Sequence, residues 1–206
     1  MEADALRTSH GLGVLHLFCH FGVEVNKTRI IEIVDKANAS EMQVVTISIL
    51  GHKADLGFMV LSNDWMQLRK FQTDITEAGL NVTDSYVSLT EISEYAAGVP
   101  EEMRQARLYP ELPPEGKPAW CFYPMSKRRN PQQNWFTLDF EKRKELMYEH
   151  GASGRKFTGR VLQVITGSSG VDDYEWGVTL FCVHPDDLKE VVYTMRFDEA
   201  SAEYAE

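Results

Sequence analysis

The sequence predicts an α+β fold made of two fused ferredoxin-like β-α-β-β-α-β units, arranged as a dimeric α/β barrel. Three observations carry that expectation. In the first half, stretches with period-two apolar alternation are interleaved with stretches of helical spacing, in the order β-α-β-β-α-β. A proline-punctuated break follows. After it the same order partly recurs.

Residues 12–22 read as a strand with Leu15, Leu17, Cys19 and Phe21 on one face. Residues 26–38 read as a helix, with Ile30, Ile31 and Val34 on one side. Strands fit 43–50 and 56–61, and the next helix opens at Asn63 or Asp64 and carries Leu68, Phe71 and Ile75 at helical spacing. A strand over 83–89 completes the first unit, residues 1–96. Pro100, Pro110, Pro113, Pro114 and Pro118 mark 97–118 as a linker or loop. In the second unit, 119–206, strands fit 119–124, 159–166 and 175–182. Helices fit 137–150, stopped by Gly151, and 184–194, with Pro185 near its start.

A chain of 206 residues with 43% hydrophobic and 25% charged residues can bury a sizeable core. A net charge of −10 disfavours a nucleic-acid partner, and no apolar run approaches a membrane span or secretory signal. Three widely spaced cysteines fit neither a disulfide framework nor a Cys-x-x-Cys metal site, which points to a reducing cytoplasm.

Few residues stand out chemically. His150 at a helix end reads as a cationic cap for the helix dipole, or as a metal ligand with a neutral imidazole. Tyr123 and Lys127, followed by Arg128 and Arg129, read as a strand end with a solvated basic turn, or as an anion clamp. His16 and His20 share a strand face but stand about 13 Å apart at that spacing, too far to hold one ion. Asp172, Asp173 and Glu175 read as a solvated turn. Gly167-Ser168-Ser169-Gly170 is too weak a pattern for a phosphate loop.

Several segments together resemble the coproheme decarboxylase branch of the chlorite dismutase-like superfamily. They are Cys-Phe-Tyr-Pro-Met-Ser-Lys-Arg-Arg (121–129), Asn134-Trp135, Leu-Met-Tyr-Glu-His-Gly (146–151), Gly154-Arg155, Val-Asp-Asp-Tyr-Glu-Trp-Gly-Val-Thr-Leu-Phe (171–181) and Met-Arg-Phe-Asp-Glu-Ala-Ser-Ala (195–202). The likeness is dense from Trp120 to Ala202; the first half is similar mainly in the order of its elements.

The resemblance implies a role for each matching position. His150 is expected as the proximal iron ligand, Tyr123 as a redox-active tyrosine, and Lys127 as its neighbour at the reacting propionate. Gln163 falls 13 residues after His150, where chlorite dismutases carry a distal arginine. Arg107, Tyr86, Ser88 and Ser201 are expected to help hold propionates. The implied reaction is hydrogen peroxide-dependent decarboxylation of iron coproporphyrin III (coproheme) to haem b, with coproheme as both cofactor and substrate. The alternatives are a chlorite-degrading or peroxidase enzyme on the same fold, and a non-catalytic porphyrin-binding protein. A homopentamer and a coproporphyrin ferrochelatase partner are implied as well.

Overall fold

The computed structural model describes residues Leu6–Ala96 and Gly98–Glu206. The chain divides into two compact units. One comprises 1–91 with Leu108–Leu112, the other Ile92–Arg107 with Pro113–Glu206.

The first unit runs β1 (Gly13–Phe21), α1 (Lys27–Asn38), β2 (Gln43–Ser48), β3 (Leu56–Ser62), α2 (Trp65–Glu77) and β4 (Leu80–Thr90). Its strands lie in the order β2-β3-β1-β4, all antiparallel. This is the ferredoxin-like arrangement that the hydrophobic periodicity predicts. Alternation sends Leu15, Leu17, Phe58, Val60 and Val44 to the helix-covered face, where they pack on Ile30, Leu68, Phe71 and Ile75. Each helix starts at a polar cap: Asn26 Oδ1 accepts from Arg29 N at 3.0 Å, and Asp64 Oδ1 from Met66 N at 2.9 Å. Asp64, not Asn63, is therefore the α2 cap. The turn into β4 needs glycine: Gly79 has φ +97°, and a Cβ there would meet Glu24 O at 2.5 Å. A register shift between Phe18 and Cys19 separates the two strand histidines. His16 is fully buried, while His20 lies near the surface with Nδ1 3.0 Å from Asp55 Oδ2.

The proline-rich stretch is more ordered than its composition suggests. It carries α3 (Glu101–Leu108), which starts just after Pro100. Leu108–Leu112 then folds back onto the first unit. Leu108 O accepts from Thr90 Oγ1 at 2.8 Å, the Tyr109 hydroxyl accepts from Gly11 N at 3.1 Å, and Gln43 bonds Pro110 O at 2.9 Å and Leu112 N at 2.8 Å. These side chain-to-backbone bonds join residues far apart in sequence, so local composition does not reveal them.

The second unit continues with β5 (Ala119–Met125) and a short hairpin, β6 (Arg129–Asn130) and β7 (Gln133–Asn134). Next come α4 (Phe140–Arg155), β8 (Val161–Gly167), β9 (Trp176–Cys182), α5 (Pro185–Met195) and α6 (Glu199–Ala202). Its strands lie in the order β8-β9-β5, again antiparallel. After α5 the described residues turn into α6, not into a fourth strand of this β-α-β-β-α unit. The last residues pair instead with the end of β5: Ser126 N donates to Glu206 O at 2.8 Å, Glu206 N to Ser126 O at 2.9 Å, and Arg128 N to Tyr204 O at 2.8 Å. Within each unit the sheet is open. No described helix is long and apolar enough to cross a membrane.

Candidate haem-binding site

His150 lies inside α4, not at its end. The helix runs through Gly151 to Arg155 despite the low helix propensity of glycine. Tertiary contacts outweigh that propensity. Ser153, on the following turn, donates its hydroxyl to Asp198 Oδ1 at 2.7 Å, and a Cβ on Gly154 would lie 3.6 Å from Met195 Cε. The helix therefore passes close to the end of α5 at Gly154, which keeps that face slim.

Asp198 organises the histidine. Its Oδ2 lies 3.1 Å from His150 Nδ1. A carboxylate only accepts, so Nδ1 carries the proton and Nε2 keeps its lone pair. Nε2 has no protein partner among the described residues. Ser201 Oγ stands 3.4 Å from the same Nδ1. Burial holds the imidazole pKa below its usual value, and the positive charge of Lys127 pushes the same way; Asp198 opposes both. The contact is thus a hydrogen bond donated by a neutral imidazole more than an ion pair. The linker between α5 and α6 and the helix itself deliver Asp198, Ala200 and Ser201 together, which explains the Phe-Asp-Glu-Ala-Ser run.

Among the described residues no hydrogen bond joins Lys127 to Tyr123. Its Nζ donates to Ala200 O at 2.6 Å and stands 4.5 Å above the buried Trp135 ring. Burial lowers its pKa to about 8, the negative charge of Glu175 opposing. The other two cations of the basic run are engaged as well. Arg128 donates to Gln133 Oε1 at 3.1 Å and Glu203 O at 3.2 Å, while Arg129 pairs with Glu175 and stacks on Phe136. Glu175 also accepts from Lys127 N at 3.0 Å, so it is a structural clasp and not part of a solvated turn. An open anion clamp is therefore absent from this run; a carboxylate would have to exchange partners with it.

Tyr123 and Gln163 project from one face of the β8-β9-β5 sheet. Tyr123 pairs with Val178 and Gln163 with Leu180, two residues along β9. Tyr123 is half-buried against the core of Phe157, Val178, Leu180 and Val191, and burial raises its phenol pKa. Gln163 Nε2 lies 3.5 Å from Met195 Sδ. Tyr86 and Ser88 are buried on β4 in the first unit, opposite His16 and Val14 of β1. Arg107 is exposed near the end of α3. The geometry thus gathers His150, Lys127 and Ser201, places Tyr123 and Gln163 on one sheet face, and leaves Tyr86, Ser88 and Arg107 on other elements. Asp198 and Ser153 are the residues that sequence reasoning missed.

A neutral imidazole with Nδ1 held by a carboxylate could ligate a metal through Nε2. Residues 24–206 match the family described as chlorite dismutase. The chain belongs to the chlorite dismutase family. It is 46% identical over 171 residues to the coproheme decarboxylase of Staphylococcus carnosus, spanning 77% of this chain and 67% of that one. The enzyme of the same name from Staphylococcus saprophyticus is 44% identical over the same shares. Among solved structures, a haem-binding protein from Thermus thermophilus superposes with a TM-score of 0.85 at 34% identity, over 96% of this chain and 87% of that one. In this member of the chlorite dismutase family, the matched residues span both units.

Proposed function

We propose that this protein is a coproheme decarboxylase, converting coproheme to haem b at the expense of hydrogen peroxide. The observation that carries the reading is His150: neutral, oriented by Asp198, and with Nε2 open to an iron. The identity to the staphylococcal coproheme decarboxylases supports the choice of substrate.

In this reading His150 Nε2 holds the iron, and the bound iron supplies the oxidising power of the peroxide. Each round turns one propionate, one hydrogen peroxide and one proton into a vinyl group, carbon dioxide and two waters. The half-buried phenol of Tyr123 loses an electron and its proton, then recovers a hydrogen atom from the propionate β-carbon. A buried phenol stays protonated until it is oxidised, so it delivers a hydrogen atom and not a negative charge. Lys127 exchanges the Ala200 carbonyl for the carboxylate of the reacting propionate. Ser201, beside His150, holds a further propionate, because burying each unpaired carboxylate costs roughly several kcal/mol; Tyr86, Ser88 and Arg107 enter this reading through the resemblance alone. Gln163 lines the sheet face with a neutral amide.

The test is addition of peroxide to the protein loaded with ferric coproheme, following pigment mass. Two successive losses of carbon dioxide with two hydrogens are expected. A pigment that stays intact while peroxide is consumed overturns the assignment. The neutral Gln163 disfavours chlorite chemistry, and oxygen release from chlorite is expected to match a protein-free haem control. The resemblance also brings a cytoplasmic homopentamer and delivery of coproheme from a coproporphyrin ferrochelatase into this proposal; sedimentation and co-purification test these.

A further inference from the structure

Tyr123 packs against a core rich in sulfur. The core it packs against contains Cys182, and Cys121, Met125 and Met195 border the same core. Cys121 precedes Tyr123 by two residues on β5, so both side chains leave the same face of the strand, with Cα atoms about 7 Å apart. Cys121 pairs with Leu180 and Ala119 with Cys182, which sets the two thiols on that face as diagonal neighbours on adjacent strands. All three cysteines of the chain are free.

Strand register fixes this neighbourhood, so it does not depend on a mobile loop. A phenoxyl radical and a thiol differ little in their hold on a hydrogen atom. A thiol beside a radical-bearing tyrosine is therefore an open exit whenever the intended hydrogen donor is missing. That condition arises once the reactive propionates have become vinyl groups and peroxide remains.

We propose that Cys121 is the oxidation sink of Tyr123, the residue at which surplus peroxide equivalents come to rest when no reactive propionate is in place. This inference rests on the reading of Tyr123 as a radical carrier. In the first step the Cys121 thiol gives a hydrogen atom to the Tyr123 phenoxyl, restoring the phenol and leaving a thiyl. In the second step the remaining oxidising equivalent removes one electron while water adds its hydroxyl to sulfur and releases a proton. The sum is one thiol plus one hydrogen peroxide giving one sulfenic acid plus one water. Direct attack of Cys121 on peroxide is the competing route. It needs a thiolate, and burial raises the Cys121 pKa, which starves that route.

The experiment loads the full chain with ferric haem b, adds one equivalent of hydrogen peroxide, traps sulfenic acid with dimedone and maps the adduct by peptide mass. Wild type is expected to carry the adduct on Cys121. Tyr123→Phe, which removes only a hydroxyl, is expected to lose it at least tenfold. In wild type loaded with coproheme, the adduct is expected to fall several-fold while carbon dioxide is released. Cys121→Ser is expected to decarboxylate coproheme at the wild-type rate but to accumulate oxidised Tyr123 in the haem b arm. Equal labelling of wild type and Tyr123→Phe overturns the proposal in favour of direct oxidation. Absence of the adduct in a preparation that does decarboxylate coproheme overturns the sink alone. Failure of wild type to decarboxylate overturns the enzymatic reading itself.

Discussion

Asp198 Oδ2 sits 3.1 Å from His150 Nδ1, while its other oxygen takes the Ser153 hydroxyl at 2.7 Å. One carboxylate therefore fixes both the ring and the helix turn that follows it. Removing it frees the imidazole to rotate and to change tautomer. Asp198→Ala is expected to weaken ferric coproheme binding by about 10–100-fold, the usual cost of losing such a partner. Spectroscopic titration checks this. Ser153→Ala, which leaves the His150 bond in place, is expected to cost less.

Tyr123→Phe is expected to bind coproheme with near-wild-type affinity and to release no carbon dioxide. The ring still packs on Val178 and Leu180, so only the oxidisable hydroxyl is lost. Normal turnover by this variant sinks the radical assignment.

Acid should loosen the first unit through His16. Burial lowers its pKa to about 3 in the folded state, against 6.5 for a free imidazole. The unfolded chain binds the extra proton across that window. The stabilisation is thus complete above pH 6.5 and is lost as pH falls from 6.5 towards 3. His150, also depressed by burial, acts in the same direction. His16→Phe is expected to flatten the acid limb of denaturant midpoints measured against pH.

Lys127 gives a signature at the other end of the scale. Its folded pKa of about 8 lies below the 10.5 of a free lysine, so the unfolded chain again holds the proton more tightly. The buried ammonium costs stability below pH 8, on the order of 3 kcal/mol, and the cost fades between pH 8 and 10.5. The stability difference between wild type and Lys127→Met is expected to change across that window, in favour of wild type. A flat difference would mean that Lys127 is solvated.

What is legible in the sequence divides along one line in fold and site alike. Period-two and helical spacing make β1 to β4 readable, because Leu15, Leu17, Phe58 and Phe71 declare their shared core directly. The extent of α4 is not readable. Gly151 looks like a stop until Ser153 is seen bonded to Asp198, 45 residues away in sequence. The order in the proline-rich stretch hides for the same reason, since Gln43 supplies the bonds that hold Pro110 and Leu112. Motifs single out His150, Tyr123 and Lys127. Their partners come only from tertiary geometry, which turns the basic run from a clamp into a set of engaged cations.

The bonds at the histidine span long stretches of chain: 48 residues from His150 to Asp198, and 73 from Lys127 to Ala200. Closing such loops costs conformational entropy, which the contacts at both ends must repay. The setting of the imidazole is therefore a property of the folded second unit and not of α4 alone. A chain in which the residues from Asp198 onward come loose keeps the α4 sequence but loses, in one event, the acceptor of His150 and the acceptor of Lys127.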